Sequence, residues 1–400
     1  MATDRALGIL PPDVLIEEET MPDYDARRFY PANLGDILHG RYKILIKLGW
    51  DSSSTVWLGK DTSRWRWQPD RYVALKISVA NGKDTANHEV VISRRLGSNP
   101  AHEGFRFVRC VIDHFEIAGP RGAHNCLVYE PMRVTMTLFQ RRLPDGKIPG
   151  PLLKHYIRHL LLGLDYIHRE CGVIHTDIKQ DNIMMGFEDP SVVEDYIRTK
   201  GKAAMPRKVQ KDRSIYFSQY DFGPLKSFRM LLKLSNFGLA QRGDGPEPLR
   251  HPIQPPLFQA PEVILGAPWS YSADIWNLGV LIWNFLENRD LFRDIRSSQG
   301  NYDSRKHLAE MVALLGPPPR ELIGREARWS TFYGGPFFNS EGNFLYGDLV
   351  PPSLKLPDSV LSLEGEDRTL FLDFVGHMLQ WLPENRKSAR DLLSHVWLTP

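Results

Sequence analysis

Residues 174–182 read IHTDIKQDN and follow closely on PLLKHYIRHLLLGLDYIHRE at 151–170. Apolar residues recur in that preceding segment at every third or fourth position, which predicts an amphipathic α-helix. In the stretch after it, Asp177 can accept the proton of an attacking hydroxyl and Lys179 can neutralise charge on a moving phosphoryl group. Asn182 can offer an amide oxygen to a hard cation. A polar loop that merely caps a helix rarely has these three side chains at this spacing, so the stretch indicates phosphoryl transfer.

The composition is that of an ordinary globular chain. Its 400 residues have a mass of 45.9 kDa, with 42% hydrophobic and 24% charged residues, which excludes wholesale disorder and fibrous repeats. Fifty basic and 48 acidic side chains leave a formal charge of +2, too small for a whole-chain attraction to nucleic acid or anionic membranes. Cys110, Cys126 and Cys171 form neither a disulfide framework nor a zinc-ligand pattern, which favours a reducing compartment.

The N-terminal region matches neither a signal peptide nor a transit peptide, because it has an early Pro-Pro and the acidic run Glu17–Glu19. No apolar run is long enough for a transmembrane helix. We therefore expect a protein of the cytoplasm or nucleus without membrane attachment. Residues 1–35 are predicted to form an extended N-terminal tail.

Residues 36–130 are predicted to form a small β-rich lobe. Strands are indicated by alternating apolar and polar residues or by β-branched and aromatic residues between turns. The predicted elements are strands at 41–49, 54–61, 71–79, Phe107–Ile117 and Asn125–Tyr129, with one helix at Asp84–Leu96 for which Asp84 or Thr85 can supply the cap.

Residues 131–398 are predicted to form a larger helical lobe. Beyond the 151–170 helix, helices are predicted at Ser272–Glu287, Ser304–Leu315, Asp367–Gln380 and Ala389–Leu393. An insertion at about 187–230 interrupts this lobe, and its middle, 196–213, contains seven basic residues and one acid. We interpret it as a solvated segment, with a localisation or docking patch as the alternative.

Two further motifs lie in the small lobe. Residues 48–56 read LGWDSSSTV, a strand–turn–strand in which small residues could let backbone N–H groups approach phosphate oxygens, although an ordinary hairpin has the same pattern. Lys76 in VALK, followed by Glu89 on the predicted helix, could grip phosphates if the acid holds its ammonium group. The alternative is a strand-edge lysine and a solvated helix face.

In this order the three motifs resemble those of the eukaryotic protein kinases. Their sequences are most similar to those of the SR-protein kinases, which phosphorylate serines in Arg-Ser repeats of splicing factors. Thr176, between His175 and Asp177, is the most specific sign, because most kinases have arginine there. The resemblance extends from about Tyr30 to Trp397. It implies an α+β bilobal fold, with a small β-rich lobe, a large helical lobe and ATP in the cleft.

The resemblance also implies roles for individual residues. ATP and Mg²⁺ are the expected cofactors, and protein serine or threonine is the expected acceptor. The implied nucleotide-binding residues are Leu48, Gly49, Val56, Ala74, Lys76, Glu89, Glu130 and Met132, the catalytic residues are Asp177, Lys179 and Asn182, and the magnesium ligands are Asn182 and Asn236. Other matches are Tyr129 as gatekeeper, Asp274 as the acid that orients the catalytic loop, Glu262 of Ala-Pro-Glu as partner of Arg386, and residues 394–398 as the end of the closing helix.

The chain departs from the kinase pattern at two places. Asp51 stands at a glycine position of the phosphate loop, and Asn236 replaces the aspartate that should bind magnesium. An amide oxygen brings no charge to the ion, so a slow or inactive catalyst follows as the alternative: a pseudokinase that binds ATP or acts as a scaffold. A literal Asp221-Phe222-Gly223 also occurs, but it lies farther from Ala260-Pro261-Glu262, so we assign the motif to Asn236.

Regulation and partners are also indicated. Between Leu239 and Pro261 there is no Ser, Thr or Tyr, so activity should not depend on phosphorylation of that loop. Protein substrates are expected, among them Arg/Ser-rich mRNA-processing factors, although residues 290–310 mix basic side chains with acids and put Arg-Ser docking in doubt. A monomer without direct nucleic-acid binding is expected. A third alternative is an RNA-associated adaptor that acts through the basic insertion.

Overall fold

The computed structural model describes residues 8–65, 67–80, 83–200, 204–228, 230–326 and 328–399, with the backbone alone at 83–86, 328 and 329. The chain divides into two compact units. The first unit comprises residues 1–97, 109–134 and 184–231, and the second comprises 98–108, 135–183 and 232–400. Strands dominate the first unit and helices the second, which confirms the α+β class.

The first unit is built on a six-stranded antiparallel sheet with the order β1-β2-β3-β4-β6-β5. Over Tyr42–Ile46 of the second strand the side chains alternate between the core and a more open face, as a two-residue period requires. The strands are β1 (Ile37–Leu38), β2 (Tyr42–Asp51), β3 (Ser54–Asp61), β4 (Tyr72–Ser78), β5 (Val111–Gly119) and β6 (Gly122–Tyr129). All five predicted strands are confirmed in position. Their ends differ from the predicted ones by up to three residues, as in β6, which begins at Gly122 and not at Asn125, with one larger difference.

That difference lies at the start of β5. The strand predicted from Phe107 begins at Val111, and Glu103–Phe107 forms a 3₁₀ turn. His102 Nδ1 accepts the Gly104 N–H at 3.0 Å and so caps a helical turn, a local bond that apolar alternation does not reveal. The predicted helix is confirmed as Lys83–Leu96, and the capping roles of Asp84 and Thr85 lie outside the described side chains.

The insertion was predicted to be a solvated part of the large lobe, and this is wrong for the described residues 187–200, 204–228 and 230. They belong to the first unit and form the helix Ser191–Lys200 and the hairpin strands Arg207–Val209 and Ser214–Tyr216. The reason is that its apolar side chains join the core formed by the sheet. Those that are buried there are Val192, Val193, Tyr196, Met205, Tyr216 and Phe222.

The N-terminal region is likewise not an extended tail over its described part. Residues 17–20 and 26–28 form 3₁₀ turns, and Phe29 and Ala32 are buried. Leu10 N donates to Arg207 O and Arg207 N to Gly8 O, both at 2.8 Å, so the tail runs along the insertion. Backbone groups that would otherwise need water are paired in this way.

The second unit contains most of the helices. Ser272–Glu287 and Ser304–Leu315 match the prediction at both ends, and Trp276, Trp283 and Trp397 are almost fully buried. The helices of this unit are Met136–Gln140, Gly150–Asp165, Pro261–Ile264, Ser272–Glu287, Ser304–Leu315, Arg320–Ile323, Gly365–Gly376 and Ala389–Leu392. Short strands of this unit occur at Val173–Ile174 and Gln241–Arg242, which pair with each other, and at Leu232–Leu234. The chain passes from one unit to the other within the strands Val134–Thr135 and Ile183–Met185. Within the described residues, no helix has both the length and the apolar character needed to span a membrane.

Candidate active site

A buried carboxylate sets the backbone of the loop that contains Asp177. Asp274, from the helix Ser272–Glu287, accepts the N–H groups of His175 and Thr176 at 2.7 and 2.9 Å. Thr176 has φ +66°, in the left-handed region that non-glycine residues seldom adopt, and these two bonds hold the turn there. Asp274 thus occupies the position that sequence analysis gave it.

His175 supports the same loop from inside. Its Nε2–H donates to Ser235 O at 3.0 Å, and its Nδ1 accepts the Asp177 N–H at 3.3 Å. Burial lowers the pKa of His175, and the neutral imidazole satisfies both contacts. The loop is therefore joined to the segment that precedes Asn236.

The three predicted catalytic side chains lie together. Lys179 Nζ donates to the Asp177 carboxylate at 2.9 and 3.1 Å, and Asn182 Nδ2 donates to Asp177 Oδ2 at 2.7 Å. The same amide group of Asn182 donates to Asp177 O at 2.8 Å. The ammonium and amide groups fix the direction of the Asp177 carboxylate, as a general base that must meet an acceptor hydroxyl requires.

Asn236 completes this cluster. It adopts φ +64°, and its Nδ2 donates to Asn182 Oδ1 at 3.0 Å. The preceding Ser235 donates its N–H and its hydroxyl to Asn182 O at 2.9 and 3.0 Å. Asp221 instead belongs to the first unit, where its carboxylate accepts the Gly223 N–H. Asn236 is thus the residue that lies beside Asn182.

The donor set would accept a divalent cation, but with neutral ligands it would hold the ion weakly. Mg²⁺ prefers oxygen ligands and usually takes at least one carboxylate. Here Asn182 and Asn236 offer neutral amide oxygens, and the Asn236 amide presents an N–H group to Asn182 Oδ1. The Asn236 amide must turn before both oxygens can face one ion. Binding of the ion therefore competes with this hydrogen bond.

In the first unit, Lys76 and Glu89 form the expected ion pair. Lys76 Nζ lies 3.0 Å from Glu89 Oε2. Tyr129, proposed only as gatekeeper, donates its hydroxyl to the other oxygen of Glu89. Burial and the adjacent Glu89 charge raise the pKa of Tyr129 well above its usual value, so the phenol remains a donor. Glu89 is thereby fixed at both oxygens.

The other predicted nucleotide residues of the first unit lie on neighbouring strands. Gly49 on β2 is paired with Val56 on β3, which is paired with Lys76 on β4. Ala74 is buried with Leu127 and Tyr129 in a small cluster against which Val56 packs. Leu48 is half-buried, Met132 is buried and Glu130 is exposed. The strands therefore place an apolar surface next to the ammonium group of Lys76.

The turn after Gly49 is closed by the side-chain carboxylate of Asp51. Asp51 accepts the Ser53 N–H at 2.6 Å, the Ser53 hydroxyl at 2.9 Å and the Ser54 hydroxyl at 2.7 Å. A glycine loop would offer such an N–H group to phosphate oxygens. Asp51 takes that donor and adds a negative charge.

Sequence reasoning missed Arg109. Its guanidinium donates to Glu130 O at 3.1 and 2.8 Å and lies over the Tyr129 ring at 4.6 Å from the centroid. Burial lowers the pKa of Arg109. No short motif contains this residue, and only the pairing of β5 with β6 brings it to Glu130.

The comparisons with known proteins decide the family. The model of the protein kinase domain matches residues 42–398. The chain belongs to the protein kinase family. A serine/threonine protein kinase of Aspergillus fumigatus is 41% identical over 394 residues, which cover 98% of this chain and 92% of the relative.

Other relatives of this kinase include SR-protein kinases at lower identity. The serine/threonine-protein kinase SRPK of Physarum polycephalum is 27% identical, with 96% of this chain and 91% of the relative covered. The SRSF protein kinase 3 of Mus musculus is 24% identical at the same coverage. A crystal structure of a kinase domain superposes with a TM-score of 0.68 at 21% identity, covering 94% of this chain and all of the other, which supports the fold.

The kinase landmarks of the second unit are in place. Arg386 forms two bonds to the Glu262 carboxylate, at 2.7 and 2.6 Å, and both side chains are fully buried. Thr176 donates its hydroxyl to Leu239 O at 2.9 Å, so an uncharged contact holds the start of the activation loop where most kinases have arginine. This contact agrees with a loop that has no residue to phosphorylate.

A cavity of about 850 Å³ in the second unit has Asp177 among its lining residues. Its lining includes Lys179, Leu239, Ile253, Phe332 and Tyr333. The lining therefore combines the proposed base with apolar side chains.

One further cluster of possible metal ligands occurs among the residues that the structure describes, formed by Asp373, His377 and His395. His395 Nδ1 accepts the Trp397 N–H at 3.1 Å, so its Nε2 has the proton and donates to Asp373 at 3.0 Å. No lone pair of His395 is left for an ion. This cluster is a hydrogen-bonded contact.

Proposed function

We propose that this kinase transfers the γ-phosphoryl group of ATP to serine or threonine hydroxyls of proteins, with Asp177 as the base. The observation that supports this most is the Asp177 carboxylate held by Lys179 and Asn182. An O–P bond forms between the acceptor oxygen and the γ-phosphorus while the bond to the ADP oxygen breaks. The hydroxyl proton passes to Asp177, and ADP leaves with the bonding electron pair.

The remaining residues orient and neutralise the reacting groups. Lys76, held by Glu89, is positioned to bind phosphate oxygens, and Lys179 lies beside the base to offset charge on the transferring group. A divalent cation, when held by amide oxygens of Asn182 and Asn236, would neutralise further phosphate charge. Since neither ligand is charged, turnover should be slower than with a carboxylate at position 236.

For the substrate we propose serine-containing proteins, Arg/Ser-rich factors among them, without a long acidic docking surface at 290–310. Asp294 is paired with Lys306 at 2.9 Å and Asp303 with Arg305 at 2.7 Å. Glu310 accepts the N–H groups of residues 293 and 294. These carboxylates already have partners within the chain, so an arginine of a substrate would have to share them, which weakens its attraction to this segment.

The pseudokinase alternative is supported by Asp51 and Asn236. Asp51 occupies a donor of the phosphate loop, and Asn236 occupies an oxygen of Asn182. Both contacts would weaken the binding of the nucleotide phosphates and of the cation. Neither contact disturbs the fold. A protein of this kind would bind ATP and transfer phosphate at a negligible rate.

Transfer of radiolabelled γ-phosphate distinguishes the two functions. The full chain is assayed with an Arg-Ser-rich peptide and with a generic basic substrate, in Mg²⁺ and in Mn²⁺, beside Asp177→Ala. Label that disappears in the variant supports the kinase, and the preferred peptide defines the substrate. No label, together with measurable ATP binding, supports the pseudokinase.

A further inference from the structure

The acidic run of the tail and the basic insertion, which the proposed function does not use, bind each other and β2. Glu18 accepts Lys47 Nζ at 2.5 Å, and Glu19 accepts Lys208 Nζ at 2.9 Å. Glu17 accepts the Ser218 N–H at 3.0 Å. We call residues Glu17–Glu19 with Lys47 and Lys208 the clamp.

The charges of the clamp are buried. The side chain of Lys47 is 1% exposed and that of Glu18 is 7% exposed, and Lys208 and Glu19 are both 5% exposed. Glu17 lies 3.6 Å from Lys47 and has φ +55°. A buried ion pair requires both partners, because the loss of one leaves an uncompensated charge in a medium of low polarity. Each ion pair of the clamp therefore needs both of its side chains.

The insertion holds Lys47 at its backbone as well. Gln219 N donates to Lys47 O at 2.8 Å, and the Tyr216 ring packs edge-on against Trp57 of β3, with centroids 5.7 Å apart. Arg213 donates to the carbonyls of Ala26 and Phe29, at 3.2 Å for the latter. Tail, insertion and sheet thus meet at Lys47.

Lys47 lies where the pairing of β2 with β3 is interrupted. Lys47 is paired with Trp57 and Gly49 with Val56, so Leu48 between them is an extra residue in the ladder. A bulge of this kind bends a strand and loosens its hydrogen bonding locally. The strand enters the nucleotide turn at this point, and a restraint from outside the sheet can fix its direction.

We propose that Lys47 is a positioning residue, held by Glu18 and by the insertion backbone, which fixes the bulged part of β2 and with it the Gly49–Ser54 turn. Its effect on nucleotide binding rests on the proposed function, whereas its effect on the turn does not. Two of the seven basic residues at 196–213, Lys208 and Arg213, are bound within the chain in this way.

Hydrogen exchange of the full chain tests the proposal. In Lys47→Met and Glu18→Gln we expect amides of residues 48–56 to exchange at least about tenfold faster, because the restraint on the bulge is lost. Lys47→Arg, which keeps the charge, should restore most of the protection. Lys208→Met is the matched control, because it breaks a buried pair of the same acidic run without touching β2. It should increase exchange at 207–216 and around Glu19, but not at 48–56.

A fluorescent ATP analogue gives the second readout. Its dissociation constant should rise about tenfold in Lys47→Met and stay within about twofold in Lys208→Met. Unchanged exchange at 48–56 in Lys47→Met, or an equal effect of Lys208→Met there, would overturn the proposal. If Lys47→Met does not fold, Glu18→Gln gives the same comparison. In that variant Glu17 still lies near Lys47, so the buried ammonium group is not left without an opposite charge. Increased exchange in a protein that binds no nucleotide would overturn the proposed function and leave the positioning role standing.

Discussion

The side-chain amide of Asn236 donates a hydrogen bond to Oδ1 of Asn182 over 3.0 Å. Two amides can bond in this way because one supplies an N–H and the other an oxygen. An aspartate at position 236 could not donate, and two oxygens would then face each other and favour a cation between them. Compared with the aspartate of the kinase pattern, Asn236 therefore exchanges a charged metal ligand for a direct hydrogen bond to Asn182.

Asn236→Asp should increase both Mg²⁺ affinity and phosphotransfer. Metal stabilisation of a transferring phosphoryl group is worth several kcal/mol, so a gain of about tenfold or more is expected at limiting Mg²⁺. The measurement is initial rate against Mg²⁺ concentration for the variant and the native chain.

Asp221→Ala is the control for this experiment, because Asp221 belongs to the other unit and its carboxylate accepts the Gly223 N–H. It should leave the Mg²⁺ dependence unchanged. If Asn236→Asp has no effect and Asp221→Ala abolishes transfer, the motif has been assigned to the wrong residue.

Asp177→Ala should abolish phosphotransfer and leave ATP binding nearly unchanged. Loss of a positioned general base lowers rates by roughly 10²–10⁴-fold. The carboxylate bonds to Lys179 and Asn182, neither of which lies in the unit that contains Lys76. Rates and nucleotide dissociation constants should be measured on the same preparations. A variant that transfers phosphate normally, or one that loses ATP binding, would contradict the assignment of the base.

The sequence predicts those elements whose signal is local. The helix Ser272–Glu287 and the strands around Lys76 follow from apolar spacing and β-branched residues within a few positions. The clamp could not be predicted in this way, because Glu19 and Lys208 are far apart in the chain and each looks like a solvated charge in its own segment. The helix Ser191–Lys200 was not predicted, although Val192, Val193, Tyr196 and Ile197 recur at helical spacing. Only the sheet supplies the partners that bury these side chains.

Among the site residues, Asp177, Lys179 and Asn182 could be predicted because one short loop contains all three. The contacts of Tyr129 with Glu89 and of Arg109 with Glu130 depend on which strands are neighbours. The closure of the turn by Asp51 depends on a side-chain conformation, and residue type alone does not determine it.

Arg386→Met should destabilise the second unit strongly. Both Arg386 and Glu262 are fully buried, so removal of the guanidinium leaves the Glu262 carboxylate uncompensated. The free energy of unfolding should fall by about 3–5 kcal/mol, as measured by urea denaturation. Arg325→Met is the matched control, because its pair with Glu384 is partly exposed and should contribute at most about 1 kcal/mol. Similar losses in the two variants would contradict the role given to burial.

The stability of the second unit should fall as the pH is lowered below about 6.5, and His307 should account for part of the loss. His307 is fully buried, accepts the Tyr302 hydroxyl at Nδ1 and packs against Phe292, and burial lowers its pKa to about 3. The folded state therefore leaves this imidazole neutral where the unfolded chain binds a proton, so its contribution is complete above pH 6.5 and is lost as the pH falls toward 3, by up to about 1.4 kcal/mol per pH unit. His307→Gln retains an acceptor for Tyr302. It should reduce the slope of unfolding free energy against pH between 5 and 6.5 by the amount that corresponds to uptake of about one proton on unfolding. His114→Gln, at an exposed position on β5, should leave the slope unchanged, and an equal slope in all three proteins would show that His307 does not titrate on unfolding in this range.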